Sequence, residues 1–268
     1  MESDTEVTTL PLLAPDEPPA FEVVNAGGHS NAVLVCDHAS NRIPQRLANL
    51  GLDAAQLALH IAWDPGAAEV ARLLSAQLDA PLILSGYSRL VIDCNRPLHN
   101  AESIAAQSAG ISVPGNHELS LAQRQNRIST LFQPYHDAIE RILAGRVQRP
   151  NLLLSIHSFT PVWQGQPRPW HIGVSFWHER RLAALLHDAL ASDGEIRVGD
   201  NQPYPIEDDI DYTIPAHSEA HAIPSVMIEI RQDGIATAAG VAAWAARLAQ
   251  AYRSIEAMAL KNEPENTH

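Results

Sequence analysis

The chain has 268 residues and a formal net charge of −13, with 18 Lys+Arg against 31 Asp+Glu. Its one lysine is Lys261, and no stripe of clustered cations runs along it. Nucleic acid is therefore excluded as an expected partner, because phosphates are held by such stripes. No apolar run approaches the ~20 residues that span a bilayer, and Met1-Glu2-Ser3-Asp4 lacks the basic start of a secretory signal, so a soluble, cytoplasmic protein with no membrane partner is expected. Cys36 and Cys94 each end an apolar run and read as buried thiols rather than a disulfide.

In chain order, residues 1–19 carry five acids, no base and four prolines and read as a disordered leader. Residues 32–36 (AVLVC) read as a buried strand, residues 65–78 as a helix with proline in its first turn, and residues 81–84 as the next strand. Residues 90–94 (LVIDC) read as a strand, a long helix follows within residues 119–143, and residues 152–156 (LLLSI) form another strand. Residues 172–176 and 225–230 read as strands and residues 180–191 as a helix. An Ala-rich helix over residues 237–258 closes the chain before a flexible tail at 261–268. The alternation predicts a single α/β domain over residues 20–260. Its expected form is a three-layer α/β/α sandwich of hydrolase type around a mixed, largely parallel sheet.

Ligands of such sheets sit beyond the carboxyl ends of the strands, so the residues that follow each strand are the candidates. They are Asp37-His38-Ala39-Ser40-Asn41-Arg42, Asn95-Arg96 and His157-Ser158, with Glu229 and Arg231 at the end of the last strand. His38, with Asn41 three residues on, and the distant His157 suit a catalytic zinc, or another divalent transition metal, that keeps one position open for water. Asp64, just before Pro65, either caps a helix or supplies an anionic oxygen to that metal. Glu229 lies inside the apolar run Val226-Met227-Ile228-Glu229-Ile230, where a carboxylate is costly unless it faces a polar cavity; desolvation there would raise its pKa toward that of a general base. Asn95-Arg96 reads as an anion receptor. Arg231 and Arg89 join it as substrate-binding candidates, with Arg89 also read as a partner of Asp93. His217 is a candidate to orient substrate or stabilise an oxyanion. His29, His99, His117, His136, His178, His187, His221 and His268 read as surface or loop residues.

Five ordered motifs carry a family resemblance. They are Cys36-Asp37-His38-Ala39-Ser40-Asn41-Arg42-Ile43-Pro44, His60-Ile61-Ala62-Trp63-Asp64, Ser88-Arg89-Leu90-Val91-Ile92-Asp93-Cys94-Asn95-Arg96-Pro97, Ile156-His157-Ser158-Phe159 and Ile228-Glu229-Ile230-Arg231. Over about residues 32–253 the chain resembles the N-formylglutamate amidohydrolase family, which looks like a relative of zinc exopeptidases and aspartoacylase-type deacylases. The resemblance implies zinc on His38 and His157, a carboxylate clamp at Asn95-Arg96 and a general base at Glu229. It implies hydrolysis of a small acidic N-acyl amino acid, N-formyl-L-glutamate foremost, to formate and glutamate. Other deacylase or exopeptidase substrates and a silent acidic-amino-acid binder are the alternatives. Asn41 stands where those relatives have Glu, which leaves the third ligand open between Asn41 and Asp64.

Overall fold

The structure is a computed structural model that describes residues 11–146, 148–192 and 194–261. Its strands in chain order are β1 (Phe21–Val24), β2 (Ala32–Cys36), β3 (Leu82–Ser85), β4 (Gln107–Ser108), β5 (Ile111–Ser112), β6 (Leu152–Phe159), β7 (Val162–Trp163), β8 (Gln166–Pro167), β9 (Ile172–Ser175), β10 (Val198–Asp200) and β11 (Ser225–Arg231). The α-helices are α1 (Ala54–Leu57), α2 (Ala67–Leu78), α3 (Leu121–Arg127), α4 (Gln133–Ala144), α5 (Arg181–Ala191), α6 (Thr213–His217) and α7 (Ala238–Ala259). Seven strands form one sheet in the order β1-β3-β2-β6-β11-β9-β10, while β4-β5 and β7-β8 are separate hairpins. The central run β3-β2-β6-β11 is parallel, and antiparallel pairings of β1 with β3 and of β11 with β9 make the sheet mixed, as expected.

Side chains alternate across the sheet with a period of two, and that alternation assigns each face its task. Leu152, Leu154 and Ile156 of β6, with Val226, Ile228 and Ile230 of β11, pack into a core with α2, α5 and α7. On the opposite face Val33, Val35, Ile83 and Leu153 meet Tyr135, Ala138, Ile139 and Leu143 of α4. The same face continues along β6 as Ser155 and His157, and along β11 as Met227 and Glu229, in register. Polar side chains thus enter this face in the carboxyl halves of the two strands, with Met227 and Phe159 beside them. Leu152–Phe159 extends past the expected end at residue 156, so His157 stands on its strand rather than after it, and Glu229 lies within Ser225–Arg231 as the apolar run around it implied.

Residues 90–94 are not a strand. Leu90, Val91 and Ile92 are buried among loop side chains, and their backbone is served by turns: Val91 N–H donates to Ser88 O (2.9 Å) and Asp93 N–H to Ser103 O (2.8 Å). The buried Arg127 guanidinium donates to the Val91 carbonyl (2.9 Å), so no strand partner is needed. The expected helix within residues 119–143 is broken into α3 and α4 by a π-helical segment, Ile128–Phe132. Residues 1–10 of the expected leader, and 262–268 of the tail, lie outside the described residues. The rest of that leader is packed: Leu12 is buried in the loop cluster and the Pro18 carbonyl accepts the Tyr87 hydroxyl (2.7 Å), because one apolar side chain and one acceptor suffice to anchor it. Cys36 and Cys94 are free, buried thiols. Among the described residues no helix is long and apolar enough to cross a membrane.

Candidate active site

Three elements bring the site together: the turn after β2, the turn entering α2, and the carboxyl half of β6. Asp64 is positioned by its own backbone, whose N–H donates to the His38 carbonyl (3.0 Å), which ties the second element to the first. It does not cap α2, since Gly66 holds that position. Its side chain instead turns to β6, where Oδ2 accepts the Ser158 N–H (3.2 Å) and lies 3.0 Å from His157 Nδ1 and 3.4 Å from His38 Nδ1. One ligand atom from each of His38, Asp64 and His157 lies within 4.8 Å of the other two, and all three residues are buried.

Each histidine is oriented from behind by a further aspartate. His38 Nε2 donates to Asp93 Oδ1 (2.7 Å), and His157 Nε2 to Asp37 Oδ2 (3.1 Å). These bonds assign the proton to Nε2 on both rings and turn both Nδ1 atoms toward Asp64, the carboxylate–histidine arrangement of metal centres. Asp93 is in turn gripped by Arg89 through Nε (2.9 Å) and Nη2 (2.7 Å). Asp37 accepts Tyr135 Oη (2.8 Å), Thr213 Oγ1 (2.8 Å) and Ser155 Oγ (3.1 Å). Burial works against ionisation of Asp37, yet His157, His38 and the Thr213 hydroxyl together hold it below the usual carboxylate range. Asp64 is likewise held low against its burial, by His38 and His157.

These residues fit a divalent metal. A tetrahedral shell with bonds of about 2.0–2.1 Å has edges of about 3.4 Å, close to the 3.0 and 3.4 Å that separate Asp64 Oδ2 from the two Nδ1 atoms. His38 Nδ1 and Asp64 Oδ1 are buried without a hydrogen-bond partner among the described residues, as expected of atoms reserved for a ligand. Four buried carboxylic side chains, Asp37, Asp64, Asp93 and Glu229, surround the centre, an acidic setting that suits a cation.

Glu229 pairs in register with His157 across β6-β11 and with Gly173 across β11-β9. Burial pushes its carboxyl up to about 7, and Oε2 has no partner among the described residues. A Cβ at Gly173 would run into the Gln202 carbonyl, so only glycine lets the 201–204 loop lie on the sheet there and bring Tyr204 over Met227. The trio and Glu229 open into a cavity of about 620 Å³, whose wall includes Arg89, Arg96, Trp163 and Tyr204 and whose rim includes the β4-β5 hairpin. That volume is within the range of small-molecule sites.

Of the residues picked out by sequence, the structure brings together His38, Asp64, His157, Glu229, Arg89 and Arg96. Four others are placed differently. Asn41 does not line the cavity; its amide donates to the Leu57 carbonyl (3.0 Å), because the chain turns after Ala39 and carries it outward. Asn95 touches the cavity, but Nδ2 donates to Asp211 (2.9 Å) and Oδ1 accepts the N–H groups of Tyr212 and Thr213 (3.1 and 3.0 Å), so its amide secures the loop entering α6. Arg231 is spent on Asp233 (2.8 Å) and the carbonyls of Arg168 and Trp170. His217 sits behind Thr213 on α6 and meets His136 ring to ring (Nε2 to Nδ1, 2.9 Å), away from the cavity. His136, expected at the surface, is buried, and its Nε2 donates to the Cys94 carbonyl (2.9 Å).

Sequence reasoning passed over Asp37 and Asp93 as supports, although each lies in a quoted motif beside a candidate. It also passed over His60, whose Nδ1 lies 3.3 Å from Asp64 Oδ1, and Gln232, which donates to it (3.0 Å).

The model of the N-formylglutamate amidohydrolase family matches residues 30–236. A gene product of Agrobacterium tumefaciens of known crystal structure is 40% identical, with a TM-score of 0.87 over 91% of this chain and 99% of that one. The N-formylglutamate amidohydrolase of Ralstonia eutropha shares the fold at 18% identity, with a TM-score of 0.65 over 90% of this chain and 98% of that one. A search of curated protein sequences finds no match. With the family model covering most of the chain from β2 to the turn before α7, this protein belongs to the N-formylglutamate amidohydrolase family and is an amidohydrolase.

Proposed function

We propose that this protein hydrolyses the amide bond of a small acidic N-acyl amino acid, N-formyl-L-glutamate foremost, giving formate and glutamate. The observation that carries the reading is the convergence of His38 Nδ1, His157 Nδ1 and an Asp64 oxygen beside the partnerless carboxyl of Glu229. His38, Asp64 and His157 would hold zinc or another divalent transition metal. When bound, such an ion supplies a Lewis acid that polarises the acyl carbonyl and acidifies the attacking water.

The rest falls to the chain's own side chains. Glu229, raised to about 7, is poised to accept the proton of the water as its oxygen bonds to the acyl carbon. It then returns that proton to the amine nitrogen as the C–N bond breaks, so the carboxyl ends as it began. Arg96, whose Nη1 is held by the Asn95 and Ile210 carbonyls (3.0 and 3.1 Å), and Arg89, held by Asp93, line the cavity and would receive a substrate carboxylate. His217 takes no part in this reading.

The test is metal analysis of the purified protein together with side-by-side assays of N-formyl-, N-acetyl- and N-carbamoyl-L-glutamate. Stoichiometric metal and fastest turnover of the formyl substrate are expected. Turnover of another acyl group alone would overturn the formyl assignment and leave the chemistry standing. Ligand binding without turnover at any metal loading would point to a binding protein.

A further inference from the structure

His60 lines the cavity wall next to the candidate metal centre. Its Nδ1 lies 3.0 Å from Gln232 Nε2, in the turn that follows β11, and 3.3 Å from Asp64 Oδ1. The same Gln232 nitrogen donates to Ser158 Oγ on β6 (3.2 Å), and Ser158 Oγ donates to the Pro65 carbonyl (3.0 Å). The ring is therefore one end of a hydrogen-bonded chain whose other end is a backbone carbonyl.

That chain runs in one direction. A carbonyl only accepts, so the single hydroxyl proton of Ser158 is committed to Pro65. Ser158 Oγ must then accept from Gln232, which places the amide nitrogen, and not the amide oxygen, between Ser158 and His60. An amide nitrogen only donates, so His60 Nδ1 accepts and the proton of the neutral ring sits on Nε2. Asp64 supports the same assignment independently. A proton on Nδ1 would be offered to Oδ1 at 3.3 Å, yet that oxygen has no hydrogen-bond partner among the described residues. Nε2 itself bonds to no described residue and is not sealed from solvent: the side chain is 17% exposed, and it is cavity wall.

We infer that the Nε2–H of neutral His60 is a catalytic hydrogen-bond donor to the acyl oxygen, in the tautomer that Pro65, Ser158 and Gln232 impose. The inference rests on the reading of this cavity as the site of N-acyl hydrolysis. As the water oxygen bonds to the acyl carbon, the carbonyl electron pair moves onto the acyl oxygen. A donor fixed beside that oxygen stabilises the anion more than the carbonyl it came from. No proton leaves Nε2; Glu229 alone carries the proton from the water to the amine nitrogen, so the step balances. Gln232 and Ser158 are positioning residues. Without them Nδ1 would be free to take the proton, turning a donor toward Asp64 and a lone pair toward the substrate.

The test joins a spectroscopic and a kinetic reading on the whole protein. Long-range proton–nitrogen correlation spectra at neutral pH, with H60Q used to assign the His60 ring, are expected to show the proton on Nε2 in wild type and shared between the two nitrogens in Q232L. With N-formyl-L-glutamate, H60A should lose on the order of 10²–10³-fold in kcat, the cost of one oxyanion donor. Its KM should stay within about threefold of wild type, as for an interaction made only in the transition state, and its metal content should be unchanged. H60Q, whose amide nitrogen reaches the place of Nε2, should regain about tenfold of that loss, and it decides the matter should H60A fail to fold. A proton on Nδ1 in wild type, full kcat in H60A, or a loss of kcat matched by a loss of metal would overturn the inference and leave the hydrolysis standing. Failure of the hydrolysis would appear separately, as wild type that turns over no N-acyl amino acid, and it would remove the donor role whatever the tautomer.

Discussion

Glu229 stands directly across the β6-β11 pair from His157, on the one face of the sheet where apolar burial gives way to polar side chains. A candidate base and a candidate metal ligand are thereby fixed to each other by backbone hydrogen bonds of two central strands. Geometry held this way is more precise than geometry held by loops. Replacing Glu229 by Gln keeps the shape and removes the proton acceptor. We predict that turnover falls on the order of 10²–10⁴-fold while metal content and substrate affinity stay near wild type. Full activity in Glu229→Gln would sink the assignment.

The choice of third ligand gives a sharper comparison. Asp64→Asn is expected to lose stoichiometric metal, whereas Asn41→Ala keeps it, because the Asn41 amide is occupied with the Leu57 carbonyl. Metal analysis of the two variants decides, and the reverse pattern would reinstate Asn41.

Asp93 and Asp37 act from behind His38 and His157. Loss of such a supporting carboxylate typically weakens metal affinity about 10–100-fold. We expect Asp93→Asn and Asp37→Asn to do so in a competition titration with a zinc chelator. Asp37→Asn should also lower the thermal midpoint more, since three hydroxyls donate to that carboxylate besides His157. Unchanged affinity in both variants would separate these aspartates from the metal.

Burial and the neighbouring His217 push His136 down to about 3, and burial takes His217 down to about 4. Above the ordinary histidine pKa both are neutral folded or unfolded, and their contribution to stability is fully present. As pH falls below about 6.5 the unfolded chain binds protons that the folded one refuses, so stability drops until about pH 4. Each histidine contributes a slope of about 1.4 kcal/mol per pH unit in that window. Denaturant titrations from pH 7.5 to 4.5 should show a shallower acid loss in His136→Asn than in wild type. Parallel profiles would contradict the buried, neutral pair.

The sequence by itself determined the elements whose signal is local. Buried apolar runs marked β2, β6 and β11, a helical pattern marked α2, α5 and α7, and an acid inside an apolar run marked Glu229. Local pattern also located the two turn and strand histidines, because a polar residue at the end of a buried run has few other places to be. Residues 90–94 misled for the same reason: a buried apolar run reads alike whether its backbone is served by a neighbouring strand or by turns and the Arg127 side chain. Only the tertiary structure decided which polar side chains face one another. Asp64 faces the histidines because its N–H is tied to the His38 carbonyl, and Asn41 does not because its loop turns outward. The amide of Asn95 is consumed by the loop entering α6, and His217 is stacked on His136 behind it. Such convergence is set by hydrogen bonds between segments far apart in the chain, which periodicity along one segment does not encode.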